Sequence, residues 1–123
     1  MKYMIMMFGD QATMMETQTP EWIRNMIQFM QDLDGELHES GEYVDGQGLA
    51  DPTQAKTVRF ENGITVPTDG PFAEAKESLA GYWIVDVSEE RALEIASRIV
   101  AFLGGGAIEV RQVMDAPPEE FTS

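Results

Sequence analysis

The spacing of apolar residues switches back and forth between strand-like and helical along this chain, and the order of those switches restricts the fold more than any single motif does. Lys2 to Phe8 is a continuous apolar run closed by Gly9-Asp10, which predicts a first strand covered on at least one face. A polar, methionine-containing loop follows. Thr19-Pro20-Glu21 then supplies an N-cap, a proline at the first helical position and an acid at the positive end of the helix dipole. Ile23, Met26, Ile27, Met30, Leu33 and Leu37 recur at spacings of three and four, so the helix has one apolar stripe, and Gly41 stops it. Gly35 inside it costs about 1 kcal/mol. A short strand over Tyr43 to Gln47 returns from the helix. Thr57 to Val66 reads as a hairpin with Asn62-Gly63 at a type I′ tip, which sets Phe60 across from Thr65 and Arg59 across from Val66.

Tyr82 to Val87 is a further strand, rich in aromatic and β-branched residues. It runs into Ser88-Glu89-Glu90, the cap and acidic first turn of a second helix. That helix carries Ala92, Leu93, Ala96, Ile99, Val100 and Leu103 on its stripe and ends at Gly104-Gly105-Gly106, before a last strand over Ile108 to Val113. Strand, helix, strand, hairpin, strand, helix, strand is the α+β, ferredoxin-like (split βαβ) pattern: an antiparallel sheet with two helices on one face and an inserted β-hairpin. The chain's 123 residues suit one core. Residues 1–115 are expected to form that single domain, with a loose tail over 116–123. The sheet face opposite the helices is too apolar and aromatic to be left in water. Two chains pairing through it, as a homodimer of the dimeric α/β-barrel type, is the expected remedy.

Charge narrows the partners. Eight Lys and Arg stand against 22 Asp and Glu, a formal net charge of -14, so the molecule repels phosphate backbones and anionic lipid. Neither nucleic acid nor a membrane surface is an expected partner. The absence of cysteine removes disulfides, thiolate nucleophiles and cysteine-ligated metals. The apolar run after Lys2 is too short and too abruptly ended for a signal peptide, and Ile99 to Ile108 falls well short of the roughly 20 residues that span a bilayer. A soluble, cytoplasmic protein is expected.

The densest polar constellation is Asp69-Gly70-Pro71-Phe72-Ala73-Glu74-Ala75-Lys76-Glu77. Asp69 can cap the amides ahead of it, and Pro71 can open a short helix. On such a helix Glu74 and Glu77 would share a face beside Lys76, and two carboxylates near one ammonium can separate into an acid and a base. The bland alternative makes Asp69 an Asx cap, Phe72 a plug and the rest a solvated face. The string TDGPFAEAKESLAGYW, Thr68 to Trp83, resembles the signature of the DGPF subgroup of the YCII-related family. The opening MKYMIMMFGD, Gly48-Leu49, Thr57-Val58-Arg59 and Glu109-Val110-Arg111 match the same family in the same order. The resemblance implies a ferredoxin-like fold that dimerises by sheet packing. It also implies an unassigned activity, with some lyase-like or isomerase-like relatives and a possible association with an extracytoplasmic-function sigma factor.

The wider family carries a suspected His-Asp pair with the histidine early in the first helix. Here Trp22 occupies that place, and the single histidine, His38, lies at the other end of the helix, where the dipole favours a surface imidazole. Asp32, Asp34 and Glu36 alternate as in a calcium loop, but Leu37 stands where that loop needs glycine, so they read as a solvated face. Gly104-Gly105-Gly106 follows a helix instead of preceding one and is a turn, not a phosphate cradle. Methionines 4, 6, 7, 26 and 30 belong to core stripes, and Met14-Met15 could line a pocket. No metal or cofactor is called for.

The expectation is a homodimer that binds a small organic molecule, neutral or anionic, in a cleft beside the DGPF turn. Asp69, Glu74, Lys76 and Glu77 are expected to carry the binding, with Tyr3, Arg59, Tyr82 and Trp83 as lining. Arg59, or Arg111 on the last strand, is scarce enough among the cations to suggest an anion clamp. Two rivals remain: an acid-base enzyme using Asp69, Glu74 or Glu77 with Lys76 or Arg59 stabilising negative charge, and an interaction module for a sigma factor.

Overall fold

The computed structural model describes residues 1–74 and 77–121. Among these residues six strands and three α-helices follow in the order β1 (Lys2–Phe8), α1 (Gln11–Thr17), α2 (Pro20–Ser40), β2 (Tyr43–Gly48), β3 (Lys56–Glu61), β4 (Ile64–Asp69), β5 (Leu79–Asp86), α3 (Glu89–Leu103) and β6 (Ile108–Gln112). Short 3₁₀ turns lie at Pro52–Gln54 and Glu119–Phe121. The main sheet has the order β2-β5-β1-β6 with every neighbouring pair antiparallel. This α+β arrangement is compatible with a ferredoxin-like fold. The β3–β4 hairpin forms a separate two-stranded sheet, with Arg59 opposite Val66, and Asn62 and Gly63 at positive φ in its tip.

Local chemistry accounts for the helix ends. Thr19 Oγ1 accepts from the Trp22 amide at 3.0 Å, and Pro20 occupies the first turn of α2. Gly41 closes that helix at φ 79°, a left-handed conformation that glycine adopts without strain, and the Glu42 amide reaches back to the Leu37 carbonyl. Ser88 caps α3 in the same way, accepting from the Arg91 amide at 3.1 Å. The segment after Asp10, expected as a loop, is instead the seven-residue helix α1. Asp10 caps it, accepting from the Thr13 amide at 2.7 Å and the Thr13 hydroxyl at 2.9 Å. Three good helix formers, Ala12, Met14 and Met15, then need no apolar stripe of their own to continue the turn.

The core lies between one face of the sheet and the two long helices. Tyr3, Ile5, Trp83 and Val85 pack there on Leu33 and Leu37 of α2 and Ala92, Ile95, Ala96 and Ile99 of α3. Leu37 and Ile95 are wholly buried, and truncating either to alanine costs about 2–5 kcal/mol. The expected stripes need two corrections. Ile27 and Leu93 point to solvent, while Phe29 and Ile95 turn inward, Phe29 stacking on Phe102 at 4.5 Å between ring centroids. Each stripe is displaced because the helix must face both the sheet and the other helix.

An ion-pair network ties the end of α2 to α3. Arg91 Nε and Glu42 Oε2 lie 2.8 Å apart, Arg91 Nη1 reaches Glu94 Oε1 at 2.6 Å, and Arg98 grips both oxygens of Glu36 at 3.0 and 2.8 Å. The Arg91 hydrogen bond, helped by the Ser40 hydroxyl, holds the Glu42 carboxyl below its ordinary value of 4.5. At the start of β2 a β-bulge leaves Val44 without a cross-strand partner: Tyr43 pairs with Val85, and Asp45 already pairs with Ile84. No helix among the described residues is long and apolar enough to cross a membrane.

Candidate functional site

One corner of the sheet lacks side chains on its helix-facing side. Across β2 and β5 the register pairs Gly46 with Trp83 and Gly48 with Gly81. Trp83 is buried against α2, so side chains at 46, 48 and 81 would project the same way. The three glycines leave a gap in the packing layer. Met7 of β1, Met14 of α1, Met26, Met30 and Asp34 of α2 and Leu103 of α3 surround the resulting cavity, whose volume is ≈ 540 Å³. Two of the glycines have steric reasons to be there. A Cβ at Gly46 would stand 2.8 Å from Trp83 Cδ1, and one at Gly81 would stand 3.0 Å from the Gln47 carbonyl oxygen. At Gly48 a Cβ would meet nothing within 4 Å, and the backbone does not require positive φ. Only the empty space itself distinguishes that position.

Polar groups stand at the cavity wall. The Trp83 indole donates from Nε1 to Asp34 Oδ1 at 3.3 Å. His38 Nδ1 lies 3.4 Å from Asp34 Oδ2 and 2.8 Å from the Asp34 carbonyl oxygen. Its imidazole stacks on the Tyr43 ring at 3.8 Å, so the exposed helix-end histidine has a defined seat. Burial, then the carboxylates of Asp34 and Asp45, raises the Tyr43 phenol above its ordinary value. The Tyr82 hydroxyl donates to Asp45 Oδ2 at 3.0 Å, and this bond, with burial, raises its phenol too. Gln31, Gln47 and Asp10 complete the polar lining, and no Lys, Arg or His lines the cavity among the described residues. Nor do three or more His, Cys, Asp or Glu of those residues converge where a metal would be held.

The residues singled out from the sequence divide between two places. Tyr82 and Trp83 border this cavity. Tyr3 is 6% exposed and belongs to the core. The others lie at or near the hairpin, where a second hollow of ≈ 670 Å³ runs beside the DGPF turn between Leu49, Asp51, Val58, Pro71, Phe72 and Glu77. Asp69 ends β4 and is ion-paired with Lys56 in place of capping a turn. Arg59 sets its guanidinium 5.8 Å from the centroid of the Phe72 ring. Glu74 and Glu77 are exposed, and Lys76 lies outside the described residues.

Pro71 opens no helix through Glu74. Gly70, at φ 99°, gives its amide to the Ala55 carbonyl and its own carbonyl to the Thr57 hydroxyl, so the segment is tied to the root of the hairpin. Arg111 pairs with Glu109 on the same strand at 2.5 Å. Sequence reasoning missed Asp34 as a wall residue because it read the Asp32–Glu36 run as a uniform acidic face. The glycines at 46 and 48 were the available signal, since paired glycines in neighbouring strands leave room above a sheet.

A four-stranded antiparallel sheet backed by two long helices, with an apolar cavity opened by glycines at one corner, defines a small α+β protein with a ligand-sized hollow. The model of the YCII-related domain matches residues 1–117, and the chain belongs to that family. An uncharacterized protein of Rhizobium meliloti (strain 1021) is 37% identical over 87 residues, covering 69% of this chain and 70% of that protein.

Proposed function

We propose that this YCII-related protein, of the DGPF subgroup, binds a small organic molecule in the cavity between α2 and the glycine corner of β2 and β5. The observation that carries the proposal is Gly48. It faces open space, with neither a steric nor a backbone reason to lack a side chain in a strand, where glycine costs stability. The size of the hollow suits a molecule of one or two rings, and its wall combines methionines and an indole with few polar groups, the composition of a binding pocket. The site is therefore assigned to this cavity in preference to the hollow beside the DGPF turn, where Glu74 and Glu77 are exposed.

The test uses Trp83 emission in a Trp22→Phe background, titrated with 3-phenylpropanol. Saturable quenching that Gly48→Val abolishes, with an unchanged circular dichroism spectrum, is the expected result. Binding that survives Gly48→Val overturns the assignment of the site.

A second copy of the chain is proposed to cover the helix-free sheet face. Met4, Tyr82 and Ile84 lie there, only partly buried by the chain's own residues. An apolar strip of this kind gains from being covered.

A further inference from the structure

We propose that the ligand is a protonated amine with an apolar body, its ammonium group held by Asp34 beside the Trp83 indole, an inference that rests on the cavity being the binding site. Asp34 and Asp10 are the charged residues at the described wall, and both are acids. Asp10 is engaged in capping α1 through Thr13. Asp34 is the less tightly held of the two, its neighbours Trp83 Nε1 and His38 Nδ1 standing at 3.3 and 3.4 Å against 2.7 and 2.9 Å for the donors on Asp10, with acceptor positions open on both oxygens. Arg91 is bound to Glu42 and Glu94 and Arg98 to Glu36, while Arg24 of α2 lies ten residues from Asp34, about 15 Å along the helix, so none of the three neutralises it. A ligand carboxylate would meet a like charge here, with no Lys or Arg among the described lining residues to balance it. An ammonium would donate a charge-assisted hydrogen bond to the carboxylate and be attracted to the electron-rich indole. The thioethers of Met7, Met14, Met26 and Met30 would take the apolar body. The chain's net charge of -14 would draw a cation toward the surface and repel an anion.

Three probes of one shape separate the possibilities: 3-phenylpropylamine, 3-phenylpropanol and 3-phenylpropionate, titrated at pH 7 by Trp83 emission and calorimetry. The amine should bind about tenfold more tightly than the alcohol, with the acid weakest, and its advantage should shrink as salt rises. Asp34→Asn keeps an acceptor for the indole N–H. It should remove the amine's advantage while changing alcohol affinity by less than about threefold. An alcohol that binds as tightly as the amine, or an acid that binds best, with all binding lost in Gly48→Val, would overturn the amine assignment and leave the cavity as the site. Failure of all three probes to bind would remove both.

Discussion

Gly46 and Trp83 face each other so closely across β2 and β5 that a methyl group at 46 would stand 2.8 Å from the indole Cδ1 and 3.3 Å from Tyr43 Cε2. The indole must therefore tilt or withdraw if that methyl is present, and with it goes the hydrogen bond to Asp34. Gly46→Ala should destabilise the protein by about 1–3 kcal/mol, the usual cost of overpacking. Urea unfolding measures the loss, and a red-shifted Trp83 emission in the Trp22→Phe background identifies its source.

Gly48→Val should behave in the opposite way. The new side chain enters empty space in a strand that favours β-branched residues, so stability should stay level or rise by up to about 1 kcal/mol. A thermal melt checks this against the binding loss expected of the same variant.

Acid should weaken the join between α2 and α3. The Glu42 carboxyl titrates lower in the folded chain than its ordinary 4.5, so between those two values the unfolded chain binds more protons. The stability contributed by the Arg91–Glu42 pair is complete above about 4.5 and is lost as pH falls through the folded value. Glu42→Gln should cost about 1–2 kcal/mol at pH 7 and flatten the acid limb of a stability-versus-pH curve measured with urea.

Asp69→Ala should shift stability by no more than about 0.5 kcal/mol, because both Asp69 and its partner Lys56 are largely exposed. A turn cap would cost about twice that or more. Denaturant melts in low and high salt distinguish the two.

Sedimentation at micromolar concentration should find a dimer, and Ile84→Glu should yield a folded monomer. Ile84 faces away from the helices, so the charge it introduces meets solvent in a lone chain and an apolar neighbour in a pair. A wild-type monomer at that concentration contradicts the proposal.

The helices α2 and α3 were legible in the sequence because their ends are written in local chemistry: Thr19 and Ser88 cap them, and glycines 41 and 104 end them in the left-handed conformation. The inward rotation of Phe29 and Ile95 was not legible, since which side of a stripe is buried depends on where the neighbouring helix lies. Helix α1 was hidden by its length, seven residues being too few to show a period. For the site, Tyr82 and Trp83 were expected to line a cleft beside the DGPF turn; both instead border the cavity under α2, with the Tyr82 side chain on the helix-free face. The DGPF segment attracted the remaining assignments because its charges are close in sequence. Asp69, Glu74 and Glu77 are all exposed, and of them Glu77 borders the hollow beside the DGPF turn, whereas the proposed site is made of residues whose significance is the volume they lack.

The unpaired Val44 acts as a phase shifter for that missing volume. It advances β2 by one residue against β5, so the even-numbered Gly46 and Gly48 fall beside the odd-numbered Trp83 and Gly81. Were Val44 paired with Ile84 instead of bulged out, with Tyr43 kept opposite Val85, the alternation would invert: Asp45 would stand opposite Trp83 and Gln47 opposite Gly81, a carboxylate and an amide where two hydrogens now stand. Whether this one residue of an edge strand bulges out or pairs thus decides whether the space under α2 exists at all.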